Sequence, residues 1–258
     1  MTMNQIQQAK LFRSLHVKGA PVILYNIWDP GSAQAVADAG AKAIATGSAP
    51  VAMAHGFTDG EVIPMDLALA NARRIVSAVS QPVTLDFEGA YGPEPEKITE
   101  NTSLALDTGV VGFNFEDQVV GGEGLHPINA QAKRIAAMRE GCGAKEVPAF
   151  INARTDLFLK ARVSSSPHTR EMIDEAVDRA TAYAEAGADG FFAPGLLDLD
   201  LIGQLCKRVS LPVNIIALPD APESAKLAEA GVARISYGPV PYRKMVAWLS
   251  DQASEVFR

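Results

Sequence analysis

Val147-Pro148-Ala149-Phe150-Ile151-Asn152-Ala153, then a long stretch from Thr169 to Ala186, then Ala186-Gly187-Ala188 leading into Gly190-Phe191-Phe192-Ala193-Pro194, decides the fold. The first and last pieces are short apolar runs of the kind a strand buried on both faces carries. The middle piece places Ala, Ile, Val and Tyr at helical spacing. Glycine at the joint supplies the left-handed residue that ends a helix before the chain enters the next strand. The unit is strand, helix, strand, and such a unit builds a parallel sheet.

The unit recurs along the whole chain. Strand candidates are Pro21 to Ile27, Lys42 to Gly47, Pro82 to Phe87, Val111 to Glu116, Val147 to Ala153, Gly190 to Pro194, Leu211 to Ala217 and Ala233 to Gly238. Helical spacing follows each, over Ser32 to Ala39, Met65 to Val79, Glu94 to Leu106, Ala130 to Arg139, Thr169 to Ala186, Asp198 to Val209, Ala221 to Ala230 and Val240 to Val256, with one more helix, Asn4 to Leu15, ahead of the first strand. The same glycine joint stands at Gly40, Gly109, Gly187 and Gly231. Eight repeats predict an α/β protein, a closed (β/α)8 TIM barrel in one domain over 1–258, and barrels of this kind run to about 250 residues. No Gly-x-Gly-x-x-Gly or Gly-x-x-x-x-Gly-Lys motif follows a strand, which removes the main support for a nucleotide fold.

The 258 residues are 48% hydrophobic and 21% charged, an ordinary globular balance. Lys and Arg total 23 against 30 Asp and Glu, so the net charge of -7 disfavours nucleic acid or an anionic membrane as partner. The polar opening and the lack of a long apolar run predict a soluble, cytoplasmic protein. Cys142 and Cys206 are far apart without a Cys-x-x-Cys, which indicates buried thiols rather than a disulfide or a metal cluster.

In a barrel, chemistry gathers at the carboxyl ends of the strands. Those ends carry Asn26, Ser48, Asp86, Glu88, Glu116, Arg154 and Asn214, with Trp28 as a candidate pocket wall. Asp86 and Glu88 are two apart, which on an extended strand points both to one side, and Glu116 ends the neighbouring strand. Three converging carboxylates without Cys or His favour a hard cation, Mg²⁺ or Mn²⁺. Arg154 suits a substrate carboxylate or phosphonate, and Asp156 is the alternative partner for it. Ser48 lies in Thr46-Gly47-Ser48-Ala49, which reads either as an oxyanion pocket or as a tight turn. His126 follows Gly121-Gly122-Glu123-Gly124, a flap, and is a candidate acid or base as well as a plain loop histidine. His16, His55 and His168 receive no role.

Tyr25-Asn26-Ile27-Trp28-Asp29, Lys42 to Ala49, Asp86-Phe87-Glu88-Gly89-Ala90-Tyr91-Gly92, Asn114-Phe115-Glu116-Asp117 and Asn152-Ala153-Arg154-Thr155-Asp156, taken in order, resemble the isocitrate lyase and phosphoenolpyruvate mutase superfamily. The resemblance covers about Phe12 to Ala247. It implies a barrel assembled as a dimer of dimers with a swapped last helix. It also implies Mg²⁺ with Asp86 as direct ligand, Glu88 and Glu116 on metal-bound waters, Ser48 and Ala49 as oxyanion pocket, Arg154 on the substrate anion, and Asp59 beside the metal site. Asn26, Trp28 and Asn214 join the substrate-binding candidates.

The loop after strand four departs from the family pattern. The lyases carry a Cys there and the mutases carry Lys and Asn, whereas this chain reads Gln118-Val119-Val120-Gly121-Gly122-Glu123-Gly124-Leu125-His126. The expectation is therefore a Mg²⁺-dependent lyase or decarboxylase that cleaves a C–C bond of a small 2-oxo or 2-hydroxy dicarboxylic acid through an enolate. A phosphonomutase or phosphonopyruvate hydrolase is the alternative, and a non-catalytic barrel that binds a 2-oxo acid is the third reading.

Overall fold

The computed structural model describes residues 4–258, so Met1 to Met3, counted in the expected single domain, lie outside the described residues. The chain runs α1 (Gln5–Ser14), β1 (Val22–Leu24), α2 (Pro30–Asp38), β2 (Ile44–Ala45), α3 (Ser48–Ala54), α4 (Met65–Ala78), β3 (Val83–Asp86) and α5 (Pro95–Leu106), then β4 (Gly112–Glu116) and α6 (Ile128–Ala144). It continues β5 (Phe150–Arg154), α7 (Leu157–Val163), α8 (Arg170–Glu185), β6 (Gly190–Phe192), α9 (Leu199–Arg208), β7 (Val213–Ile216), α10 (Ser224–Glu229), β8 (Arg234–Ser236) and α11 (Val240–Val256). All eight expected strands are present, seven within their expected spans and β5 running one residue further, to Arg154. All pairings are parallel, in the order β1-β8-β7-β6-β5-β4-β3-β2.

The ring closes beyond the named ladders. Ile27 bridges Thr46 in parallel, its N–H donating to the carbonyl of Ala45 at 2.9 Å while it accepts from Gly47 at 3.1 Å. The expected glycine joints are left-handed, with φ of 97° at Gly40, 95° at Gly109, 102° at Gly187 and 96° at Gly231, a conformation that costs glycine least. Side-chain caps at Asp29, Thr169 and Asp198 accept backbone N–H groups where α2, α8 and α9 begin.

Two helices go beyond the expectation. The first, α3, starts at Ser48 in the stretch read as turn or oxyanion pocket, and α7 follows β5 directly. Each has only 7 residues, too few for helical spacing to stand out.

The lower mouth of the barrel is filled by α1. Phe12, fully buried, sits edge-on to Phe150 with centroids 5.7 Å apart, and a Cβ on Gly112 would come within 2.9 Å of its ring. Truncating such a ring costs about 3–5 kcal/mol. Around it, Gln5 donates to the carbonyls of Leu106 and Val110 at 2.8 Å, and Arg13 pairs with Asp189 at 2.6 Å. At the other end of the chain, α11 leaves Trp248 62% and Phe257 86% exposed. The outer face of β1 is also bare at Ile23 and Tyr25, over a groove of about 690 Å³ shared with α2.

Candidate active site

A cavity of about 460 Å³ opens at the carboxyl ends of the strands, between Ser48, Ala49, Asp59, Asp86, Asn114 and Arg154 on one side and an apolar wall that includes Leu159, Phe192, Ile216 and Leu218 on the other. The larger groove beside β1 offers only Lys42 as a charged group, so the chemistry belongs to the rim cavity.

Asp86 is held from the end of the neighbouring strand β2 and the helix that follows it. Its N–H donates to Thr46 Oγ1 at 2.9 Å, and its Oδ2 accepts the backbone N–H of Ser48 at 3.0 Å. Its Oδ1 is enclosed without a partner. The Ser48 amide, expected as an oxyanion donor, is engaged by Asp86, while Ala49 lines the cavity beside it.

Glu88 takes a different path from the one its spacing predicts. The strand ends at Asp86, and Glu88, Ala90 and Tyr91 have φ of 50°, 64° and 53°. Three left-handed residues other than glycine in one loop are strain of the kind that gathers at functional sites. The turn aims the Glu88 carboxylate at the α3–α4 loop, where Oε2 accepts the N–H groups of Gly60 and Glu61 at 2.9 and 2.8 Å. It lies in a small annex that shares Ser48 and Asp86 with the main cavity. Burial, then the charges of Asp59 and Asp86, push its pKa up to about 8.

Asp59 faces the open cavity. Burial by the surrounding loops and the charge of Asp86 raise its pKa, against the pull of the Ser48 hydroxyl and Arg154. Glu116 ends β4 in direct register with Arg154 on β5, and its Oε2 lies 2.8 Å from Arg154 Nη1. Burial raises the Glu116 pKa against the pull of Arg154.

Of the two partners offered for Arg154 by the sequence, Asp156 is in place. Arg154 grips Asp156 through Nε at 2.6 Å and Nη2 at 2.8 Å, pairs with Glu116, and still lines the cavity. Burial works against its charge, but Asp156 and Glu116 prevail and hold it protonated well above the ordinary range.

The remaining candidates lie off the cavity or are already engaged. Asn26 lines it, yet its Nδ2 donates to Thr46 O at 2.8 Å and its Oδ1 accepts the N–H groups of Tyr237 and Gly238, so it staples β1 to its neighbours. Trp28 packs away from the cavity, against Val51, Ala52 and Ile63 and edge-on to Tyr242, with centroids 5.1 Å apart. Asn214 is buried in the lumen against Ser236 at 3.2 Å. His126 sits beneath a small hairpin made by the Gln118–Leu125 bridge, and its backbone N–H donates to Asp117 O at 2.7 Å. Its ring is absent from the cavity lining, and burial followed by Arg134 lowers its pKa.

Sequence reading missed Asn114, Ser236, Arg162 and Arg243, all of which line the cavity. Asn114 was legible, since it lies two residues before Glu116 and so on the same face of β4.

Among the described residues no three His, Cys, Asp or Glu side chains close on one point as a ligand set. The enclosed, unpartnered Oδ1 of Asp86, amid acids whose pKa values are raised, fits a hard cation that takes one direct carboxylate and keeps its waters.

The family model for phosphoenolpyruvate phosphomutase matches residues 12–257. A crystal structure from Burkholderia cenocepacia, described as a candidate phosphonomutase, is 43% identical, with a TM-score of 0.94, over 98% of this chain and 99% of that one. An uncharacterized protein of Mycobacterium tuberculosis is 32% identical over 90% of this chain and 83% of its own length. Oxaloacetate decarboxylase of Pseudomonas entomophila is 27% identical over 90% of this chain and 78% of its own. The chain belongs to the phosphoenolpyruvate mutase and isocitrate lyase superfamily. Among the described residues no helix is long and apolar enough to cross a membrane.

Proposed function

We propose that this chain is a Mg²⁺-dependent lyase or decarboxylase that cleaves a C–C bond of a small 2-oxo or 2-hydroxy dicarboxylic acid through an enolate. The observation that carries the reading is Asp86, whose Oδ1 is enclosed and unpartnered on a cavity wall shared with Ala49, Asp59 and Arg154. Similarity to an oxaloacetate decarboxylase supports the same chemistry.

Asp86 would hold the cation, with Glu88 and Glu116 orienting its waters, and the bound ion supplies Lewis-acid stabilisation of negative charge on the 2-oxo oxygen. Arg154, fixed by Asp156 and Glu116, presents a cationic edge to a substrate carboxylate. The Ala49 N–H stabilises the oxygen on which charge develops as the bond breaks, and such donors act more strongly on the transition state than on the ground state. Asp59, on the cavity wall beside Asp86, is placed to pass a proton to the enolate carbon, and its raised pKa eases that transfer. The apolar wall of Leu159, Phe192, Ile216 and Leu218 keeps water from that carbon.

One observation favours a second reading, P–C bond chemistry: the 43% identity to a candidate phosphonomutase. A Mg²⁺-dependent screen of oxaloacetate, phosphonopyruvate, 2-methylisocitrate and malate analogues, followed by pyruvate formation and phosphate release, separates the readings. Pyruvate from the carbon acids supports the first, and phosphate release or rearrangement of phosphonopyruvate supports the second. Tight 2-oxo acid binding with no product leaves only a binding barrel.

A further inference from the structure

Below the cavity floor the barrel lumen holds a guanidinium with no carboxylate against it. Arg234 on β8 is 1% exposed. Its Nε donates to Ser236 Oγ at 3.2 Å, its Nη2 donates to Asn114 Oδ1 at 3.0 Å, and its Nη1 is enclosed without a partner. A buried cation lacking a counter-ion is expensive, and an apolar side chain of similar volume would fill the space at lower cost. The position therefore calls for something only a donor supplies.

What it does is visible at Asn114. The same Oδ1 also accepts Asn152 Nδ2 at 2.9 Å. A guanidinium can donate but never accept, so Asn114 must turn its oxygen down toward Arg234, which leaves its NH2 directed away. Asn114 lines the cavity together with Asp86, its register partner across β3 and β4. Reversing the amide would set N–H against N–H twice.

The support below is apolar and uncharged. His16 stacks on Phe150 with centroids 4.0 Å apart, and burial followed by Arg234 lowers its pKa to about 3. Burial lowers the Arg234 pKa only to about 9, against the charge of Asp86, so it remains a donor at neutral pH.

We infer that Arg234 is a positioning residue that locks the Asn114 amide so that its Nδ2 donates to an oxygen of the acid bound on the cavity floor. This rests on the proposed anionic substrate, and it adds a neutral donor on the strand next to Arg154 that reads the acid's oxygens without a further charge.

The test is calorimetric titration of oxalate, a planar mimic of the pyruvate enolate, in the presence of Mg²⁺, with thermal melts of every variant. Arg234→Met frees the amide, Arg234→Lys restores a donor, and Asn114→Asp keeps the acceptor for Arg234 while exchanging the donor that faces the cavity for a carboxylate oxygen, a change that Asn114→Leu separates from loss of the donor alone. Oxalate affinity is expected to fall about 10-fold or more in Arg234→Met and in Asn114→Asp. Arg234→Lys should recover part of the loss, and Asn114→Asp should melt no lower than the parent. Arg234→Met binding within about twofold of the parent overturns the inference and leaves the proposed function standing. A parent protein that does not bind oxalate overturns both. If Arg234→Met does not fold, Asn114→Asp decides: parental affinity in that variant overturns the inference.

Discussion

The backbone N–H of Ser48 donates to Oδ2 of Asp86 across 3.0 Å, which ties the first turn of α3 to the end of β3 and leaves the other oxygen of that carboxylate enclosed with no partner. A carboxylate held this way suits a cation better than it suits the apo fold. Asp86→Asn should keep or raise the melting temperature, because one charge leaves a cluster that includes Asp59 and Glu88. Activity should fall about 10³-fold, and binding of Mn²⁺ in place of Mg²⁺ should be lost. Paramagnetic relaxation titration alongside the substrate screen checks both, and undiminished turnover would sink the assignment.

Arg154 predicts the opposite stability result. Its removal strands Glu116 and Asp156, both buried, and breaking a buried pair from one side costs about 3–5 kcal/mol. Arg154→Ala should therefore lose activity and stability together in urea melts. Combining it with Asp156→Asn should regain part of the stability and none of the activity.

His16 makes stability sensitive to acid. Its folded pKa is lowered from 6.5 to about 3, and its Nε2 is enclosed without a partner. As pH falls below 6.5 the unfolded chain binds a proton that the folded chain refuses, so stability from this group is full above 6.5 and is lost toward pH 3. His16→Phe keeps the ring on Phe150 and removes the titration. Between pH 8 and pH 5 the parent should lose about 1–2 kcal/mol more than the variant, measured by chemical melts at both values. Equal losses would count against burial of the neutral imidazole.

A bare helix and a bare groove on one chain point to each other's copies. We propose that α11 carries Trp248 and Leu249, with Phe257 just past its end, onto the β1–α2 groove of a second copy, within a homotetramer. Trp248→Glu with Leu249→Glu should shift the mass seen by light scattering to the monomer, and an unchanged mass would refute the swap.

The barrel was legible because period-2 and period-3.6 runs alternate and because glycine marks the joints at Gly40, Gly109, Gly187 and Gly231. The short helices α3 and α7 were not, since each spans barely two turns and Pro50 sits inside the first. The rim acids could be placed by strand order, as Glu116 beside Arg154 demonstrates. Glu88 could not, because a left-handed glutamate is imposed by the packing of the loop and leaves no mark on composition. Asn26 and Asn214 were placed at strand ends as substrate-binding candidates. Whether their amides face the cavity or each neighbouring strand depends on acceptors that only the assembled ring brings together.

Phe12 and its helix have a consequence for traffic. A cylinder packed through its middle and sealed at one mouth has a single doorway, so any bound ligand must leave by the route along which the next molecule arrives. Entry and departure then compete for one threshold, and a lingering ligand blocks the next simply by standing in it.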